Sequence, residues 1–101
     1  MEELFDVFRD APFDIKRCRA AVAALVARPA EEPVSARARA FLLEEPADEV
    51  GTWAINVLLE RPDSQTYGAL LELVRSHTEA AERHASKFRR LYALRALDHL
   101  A

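Results

Sequence analysis

Residues 49–74 read EVGTWAINVLLERPDSQTYGALLELV, and this stretch decides the fold class of the chain. It joins two apolar segments through a short polar break, residues 61–64. In each segment the apolar residues recur every three or four positions, which is the spacing of a helix with one apolar face. The residues with this spacing are Val50, Trp53, Ala54, Val57 and Leu58, and then Tyr67, Leu70, Leu71 and Val74. We therefore expect two helices that face each other as a central αα-hairpin.

The rest of the chain predicts four further helices, because acidic or proline-marked breaks separate stretches with the same spacing. A short helix over Glu2–Arg9 is followed by one that Asp14 caps and by one that Pro33 opens. The last helix is expected from about Glu79 to Leu100, after a break that begins at Ser76. The residues predicted to point inward from the first three helices are Leu4, Phe5, Phe8, Ile15, Cys18, Val22, Leu25, Val26, Val34, Ala38, Phe41 and Leu42.

A weak internal repeat links these helices. Aligning Arg28-Pro29 with Arg61-Pro62, an offset of 33 residues, places apolar residues on apolar residues in the preceding helices. The matched pairs are Ala21 with Ala54, Val22 with Ile55, Leu25 with Leu58, and Val26 with Leu59, and a third copy lies at Leu91–Leu97. The pattern is that of a chain that repeats helix, proline turn and helix.

Three of these segments carry a family resemblance: RAAVAAL at 19–25, WAINVLL at 53–59 with Arg61-Pro62-Asp63, and YALRAL at 92–97. They resemble the HEAT-like repeats of bacterial proteins, including the type named after phycobilisome lyases, over residues 14–101. The resemblance implies a short curved stack of antiparallel helix pairs that binds other macromolecules, and it carries over no catalytic residue. A compact helical bundle is the alternative all-α architecture.

Length and composition favour one small cytoplasmic domain. The chain has 101 residues, half of them hydrophobic, which predicts a single domain over residues 1–101. The single cysteine excludes an internal disulfide and fits a reducing compartment. The first residues lack the basic and apolar run of a signal peptide, and no apolar stretch is long enough to cross a bilayer. We therefore expect a soluble protein with no membrane partner.

The sequence predicts neither an enzyme nor a cofactor. It contains no glycine-rich phosphate loop, no Gly-x-Ser-x-Gly turn and no Cys/His pair with an orienting group. Cys18 is either a redox-sensing thiol beside Arg17 and Arg19 or, as we favour, a buried and inert cysteine. His77 and His84 are seven residues apart but lack a third ligand between them, so we expect no metal site.

The clearest candidate for a binding surface is a basic stripe near the C-terminus. The formal net charge is −3, yet the segment from Arg83 to Leu97 contains five basic residues and no acidic one. The stripe consists of Arg83, Lys87, Arg89, Arg90 and Arg95. It predicts an acidic partner protein or, as a less favoured reading, the phosphates of a nucleic acid. The interpretation without function, a solvated helix face, is the one that we favour for the stripe taken by itself.

Large apolar side chains leave two further questions open. Phe5, Phe8 and Phe13 either pack as a lid on the first hairpin or form an exposed docking strip. Trp53 either belongs to the core or anchors a partner helix in a groove that Gly51 and Gly68 open. Together these features predict a non-enzymatic adaptor that binds a partner protein. Nucleic-acid binding and self-association, the latter as a homodimer through Phe5/Phe8 or Leu94/Leu97, are the alternatives.

Overall fold

A computed structural model of the chain describes residues 1–45, 47–76 and 87–100, without the side chains at 75–76 and 87–90. This part of the chain is all-α, as predicted. It forms six helices: α1 Glu2–Asp10, α2 Ile15–Val26, α3 Val34–Glu44, α4 Asp48–Glu60, α5 Thr66–Ser76 and α6 Lys87–Leu100. None of these described helices is long and apolar enough to cross a membrane.

The six helices pack as consecutive pairs. The closest neighbours along the chain are α1 with α2, α3 with α4, and α5 with α6, while α4 also packs on α2 and α6. The prediction that α4 and α5 face each other is wrong, because these two helices are not a closely packed pair in the described part of the chain. The proline breaks at Pro29 and Pro62 therefore connect one hairpin to the next. The helices of the middle hairpin are instead α3, which ends at Glu44, and α4, which begins at Asp48.

The core forms where the apolar faces of these helices meet around α4. Its largest fully buried side chains are Phe5, Phe8, Leu25, Phe41, Ile55, Leu58 and Leu70. The helix positions that the internal alignment matches have the same burial: Ala21 and Ala54, Val22 and Ile55, and Leu25 and Leu58 are buried in both copies. The agreement ends beyond the prolines, where the same offset of 33 residues places Val34 on Tyr67: Val34 is buried, whereas Tyr67 is 51% exposed. The prediction that Tyr67 lies in the apolar face of α5 is therefore wrong.

Helix α1 contacts α3 through aromatic packing and ion pairs. The rings of Phe5 and Phe8 lie 5.1 and 6.0 Å from the ring of Phe41. Arg37 on α3 binds the carboxylate of Glu2 through two nitrogens, at 2.6 and 2.8 Å, and its guanidinium lies over the Phe5 ring. The expected lid of Phe5 and Phe8 is thus confirmed as part of the core.

Polar side chains complete the helix ends. The Asp14 carboxylate accepts a hydrogen bond from the backbone N–H of Arg17, which confirms the predicted cap of α2. Before α5, the Asp63 carboxylate accepts hydrogen bonds from the Gln65 N–H and the Thr66 hydroxyl, both at 3.0 Å. In return the hydroxyl of Thr66 accepts the N–H of Asp63, so this buried threonine is fully satisfied.

Arg61 joins two successive hairpins. Its guanidinium extends from the end of α4 and donates to the carbonyls of Arg28, Pro29 and Glu32, at 2.6, 2.7 and 3.0 Å. It also reaches the carbonyls of Leu25 and Val26 in the last turn of α2. The carbonyls of a last helical turn lack the regular helical donors, and here the Leu25 carbonyl also accepts the N–H of Arg28 at 3.3 Å. The Arg61 side chain thus adds a charged donor to the end of α2 and to the loop that follows.

Candidate functional site

An open groove runs along α4, with α2 as one wall and α6 as the other. At one end Ile15 and Tyr92 flank the first turns of α4, and at the other end Ala23 and His99 flank its last turn. The three helices therefore point the same way. The two ends have volumes of about 630 and 720 Å³, and Ile15, Trp53 and Tyr92 line both of them. We call this continuous surface the α4 groove.

The α4 groove exposes large apolar side chains. Phe13, in the turn between α1 and α2, is 80% exposed, Ile15 is 54% exposed and Tyr92 is 40% exposed. All three line one end of the groove, and Leu59 lies in the floor of the other end. Single exposed apolar residues are ordinary, but adjacent ones in a concave surface are typical of a site that binds another molecule.

Two sequence predictions need correction in this region. Ile15 was expected to point inward with Cys18 and Val22, but it occupies the first position of α2 on the groove side. Phe13 was grouped with Phe5 and Phe8, which are buried, whereas Phe13 projects into solvent. The physical reason is the turn after Pro12, which reverses the chain and places residues 13–15 at the mouth of the groove.

Trp53 holds the floor of the groove in place. Its indole N–H donates a 2.9 Å hydrogen bond to the carbonyl of Pro12. Its ring stacks on that of Phe8, with the ring centroids 6.2 Å apart and the ring planes at 13° to each other. The side chain is half-buried, so it is both a core contact and a part of the groove surface. Gly51 and Gly68 do not line the groove as the structure describes it, contrary to the expectation that they would open it.

The floor of the groove is polar as well as apolar. Glu49 lies in the first turn of α4 and Glu60 in its last turn, and both are exposed. Asn56 lies midway and donates its side-chain N–H to the carbonyl of Thr52 at 3.0 Å. Its side-chain carbonyl oxygen is not engaged by any described residue and is available to a ligand. On the α2 wall, Arg19 is exposed at the same end as Glu60.

The basic stripe falls largely beyond the part of the chain that the structure describes. Arg83 lies outside it, and so do the side chains of Lys87, Arg89 and Arg90, although these three belong to α6. Arg95 is exposed on α6, consistent with its predicted place on a solvent-facing side. The structure therefore tests the position of only one of the five residues.

The other sequence candidates that the structure describes do not line the groove. Cys18 is buried, its thiol hydrogen-bonds to the carbonyl of Ala11 at 3.1 Å, and burial raises the pKa of the thiol. His77 and His84 lie outside the described residues, and within residues 1–45, 47–76 and 87–100 no three potential ligands lie together for a metal ion. Leu97 is buried in α6, whereas Leu94 is exposed.

Comparison with known proteins adds no family to this picture. The chain matches no protein-family model, and no significant match to a curated protein or a solved structure was found. The geometry of the α4 groove is therefore the basis on which a function can be argued. The sequence predicted two residues of this surface, Trp53 as a potential anchor and Phe13 as part of a possible docking strip. It did not predict Ile15 and Tyr92, whose helical spacing is that of core residues.

Proposed function

We propose that this chain is a small non-enzymatic adaptor, a protein-interaction module that binds a partner protein in the α4 groove. The observation that carries the proposal is the row of exposed Phe13, Ile15 and Tyr92 beside half-buried Trp53. Such aromatic and aliphatic side chains supply most of the binding energy when a partner desolvates them. We further propose that the adaptor acts in the cytoplasm.

The architecture supports this proposal. Three consecutive helix pairs, with α2, α4 and α6 side by side, are the arrangement expected of HEAT-like hairpins. Stacks of this kind use the surface formed by equivalent helices to bind extended partners. The α4 groove lies on that surface, because its floor and both walls come from these three helices. A HEAT-like origin is accordingly part of the proposal.

The test is a pull-down with three forms of the tagged chain, followed by mass spectrometry. Ile15→Asp places a charge in the groove without disturbing the core, because the side chain is already more than half exposed. Leu43→Asp is the matched control, since Leu43 is 84% exposed on α3 and does not line the groove. A partner retained by the wild type and the Leu43 variant but lost with the Ile15 variant supports the proposal. A partner retained equally by all three contradicts it.

A second candidate, self-association, is favoured by the outer face of α6, where Leu91 and Leu94 are 44% and 43% exposed. The alternative route through Phe5 and Phe8 would require unpacking the core, since both rings are buried. Light scattering at high protein concentration tests this candidate. A dimer that Leu94→Glu converts to a monomer would support it, and a strictly monomeric wild type would exclude it.

A further inference from the structure

Each end of the groove floor carries an exposed carboxylate that is unpaired among the described residues. Neither Glu49 nor Glu60 forms an ion pair with any residue that the structure describes. Several other carboxylates are paired, as are Glu2 with Arg37, Glu32 with Arg28 and Asp63 with Arg39. The exposed Glu31 and Glu72 resemble Glu49 and Glu60 in forming no ion pair with a described residue. The exposed apolar side chains and these two acids of α4 thus occur together in the α4 groove.

The spacing of these acids matches the length of a short helix. The 13 residues of α4 span about 20 Å at 1.5 Å per residue, so Glu49 and Glu60 lie about three helical turns apart. Trp53 and Leu59 lie between them in the floor. A partner helix laid along α4 would place its apolar stripe over these two side chains and its flanking residues near the two acids.

Among the described residues that line the groove, the carboxylates of Glu49 and Glu60 outnumber the guanidinium of Arg19 on the α2 wall. The backbone dipole of α4 adds partial negative charge near Glu60, at the C-terminal end of the helix. These described surroundings favour a cation over an anion.

From this juxtaposition we propose that the occupant of the α4 groove is an amphipathic helix of a partner protein whose apolar stripe is flanked by lysine or arginine. The inference rests on the proposed function and names the partner's chemistry. The binding mode is helix-in-groove, in which apolar anchors at helical spacing supply affinity. Basic flanking residues opposite Glu49 and Glu60 then set the orientation and favour this partner over acidic helices.

The test uses three synthetic helical peptides of about 18 residues, or five turns. They share one leucine stripe, lack tryptophan and tyrosine, and differ only in their flanking residues, which are all lysine, all glutamine or all glutamate. Trp53 is the only tryptophan of the chain, so its fluorescence reports on occupation of the groove. Because exposed charge pairs are individually weak, we expect the lysine peptide to bind about threefold to tenfold more tightly than the glutamine peptide at low salt. The difference should shrink as salt screens the charges.

A charge-reversal variant completes the experiment. Glu49→Lys combined with Glu60→Lys should invert the order, so that the glutamate peptide binds best, while far-UV circular dichroism confirms an unchanged helical content. Equal binding of the lysine and glutamine peptides would overturn the inference and leave the groove as a binding site. The inference would also be overturned if the wild type preferred the glutamate peptide. If Arg95→Glu abolished that preference and Ile15→Asp did not, the basic residues of α6 would be the binding site instead. Absence of binding by all three peptides would also overturn it, whereas the pull-down with the Ile15 and Leu43 variants decides the proposed function separately.

Discussion

The guanidinium of Arg61 donates a 2.6 Å hydrogen bond to the backbone carbonyl of Arg28. These two residues occupy equivalent positions in the internal alignment, and the contact joins the end of one copy to the end of the previous one. The carbonyl of Arg61 in turn accepts a hydrogen bond from the buried hydroxyl of Ser35 on α3. The junction between successive hairpins is therefore built on one side chain that extends from the last turn of α4.

Arg61→Ala should lower the free energy of unfolding by about 2–3 kcal/mol, because it leaves several partly buried carbonyls without a charged donor. Urea denaturation followed by circular dichroism measures the change. Arg61→Lys should recover only part of it, since a single ammonium group cannot reproduce the planar fork that reaches both the helix end and the loop. Arg17→Ala, at an exposed position of α2, is the control and should change the free energy by less than about 0.5 kcal/mol. A loss no larger for Arg61→Ala than for this control would contradict the structural role.

The phenylalanines near the N-terminus should respond very differently to the same change. Phe8→Ala removes a buried ring that packs on Phe41 and Trp53, and we expect a loss of about 3–5 kcal/mol. Phe13→Ala should change stability by no more than about 0.5 kcal/mol, because that ring is already in solvent. Thermal melts of the two variants check the contrast. Should Phe8→Ala leave too little folded protein, Phe8→Leu is expected to give a smaller loss of the same sign.

The stability of the α4–α5 junction should depend on pH through Asp63. The hydrogen bond from Arg39 lowers the pKa of this carboxyl below its ordinary value of about 3.8, and burial opposes the shift. A depressed folded-state pKa means that the ionised group stabilises the fold above the unfolded-state pKa. This stabilisation is lost as the pH falls through the folded-state value, that is, below about pH 4.

Asp63→Asn removes the titration and keeps the shape of the side chain. The variant should be less stable than the wild type at neutral pH, and the difference should narrow as the pH falls below 4. Unfolding by urea at a series of pH values measures it. A difference that stays constant between pH 6 and pH 2 would show that the charge of Asp63 does not contribute.

The thiol of Cys18 should be unreactive in the native protein. It is buried against the carbonyl of Ala11, and its raised pKa leaves little thiolate at neutral pH. A disulfide reagent such as DTNB should therefore label it only as fast as the protein opens, with a rate that rises steeply in urea. Labelling within seconds in the absence of denaturant would instead favour the redox-sensing interpretation.

The sequence determined the helices of this protein through local physical chemistry. The apolar spacing of α4, the cap at Asp14 and the proline breaks each act within a few residues, so element type and most inward faces could be predicted. The burial of Phe41, Leu25 and Leu58 follows from the same spacing. The sequence also predicted that Trp53 lies in the middle of α4, but not that it contributes to the core and to the groove surface at the same time.

Only the tertiary structure decided which helices pair and which apolar residues stay in solvent. A proline break is compatible with a turn inside a hairpin or a link between hairpins, and the choice depends on contacts between residues far apart in sequence, such as Arg61 with the loop after α2. Ile15 and Tyr67 have the spacing of core residues but lie on faces that no described helix covers. The α4 groove, for the same reason, exists only once α2, α4 and α6 lie side by side.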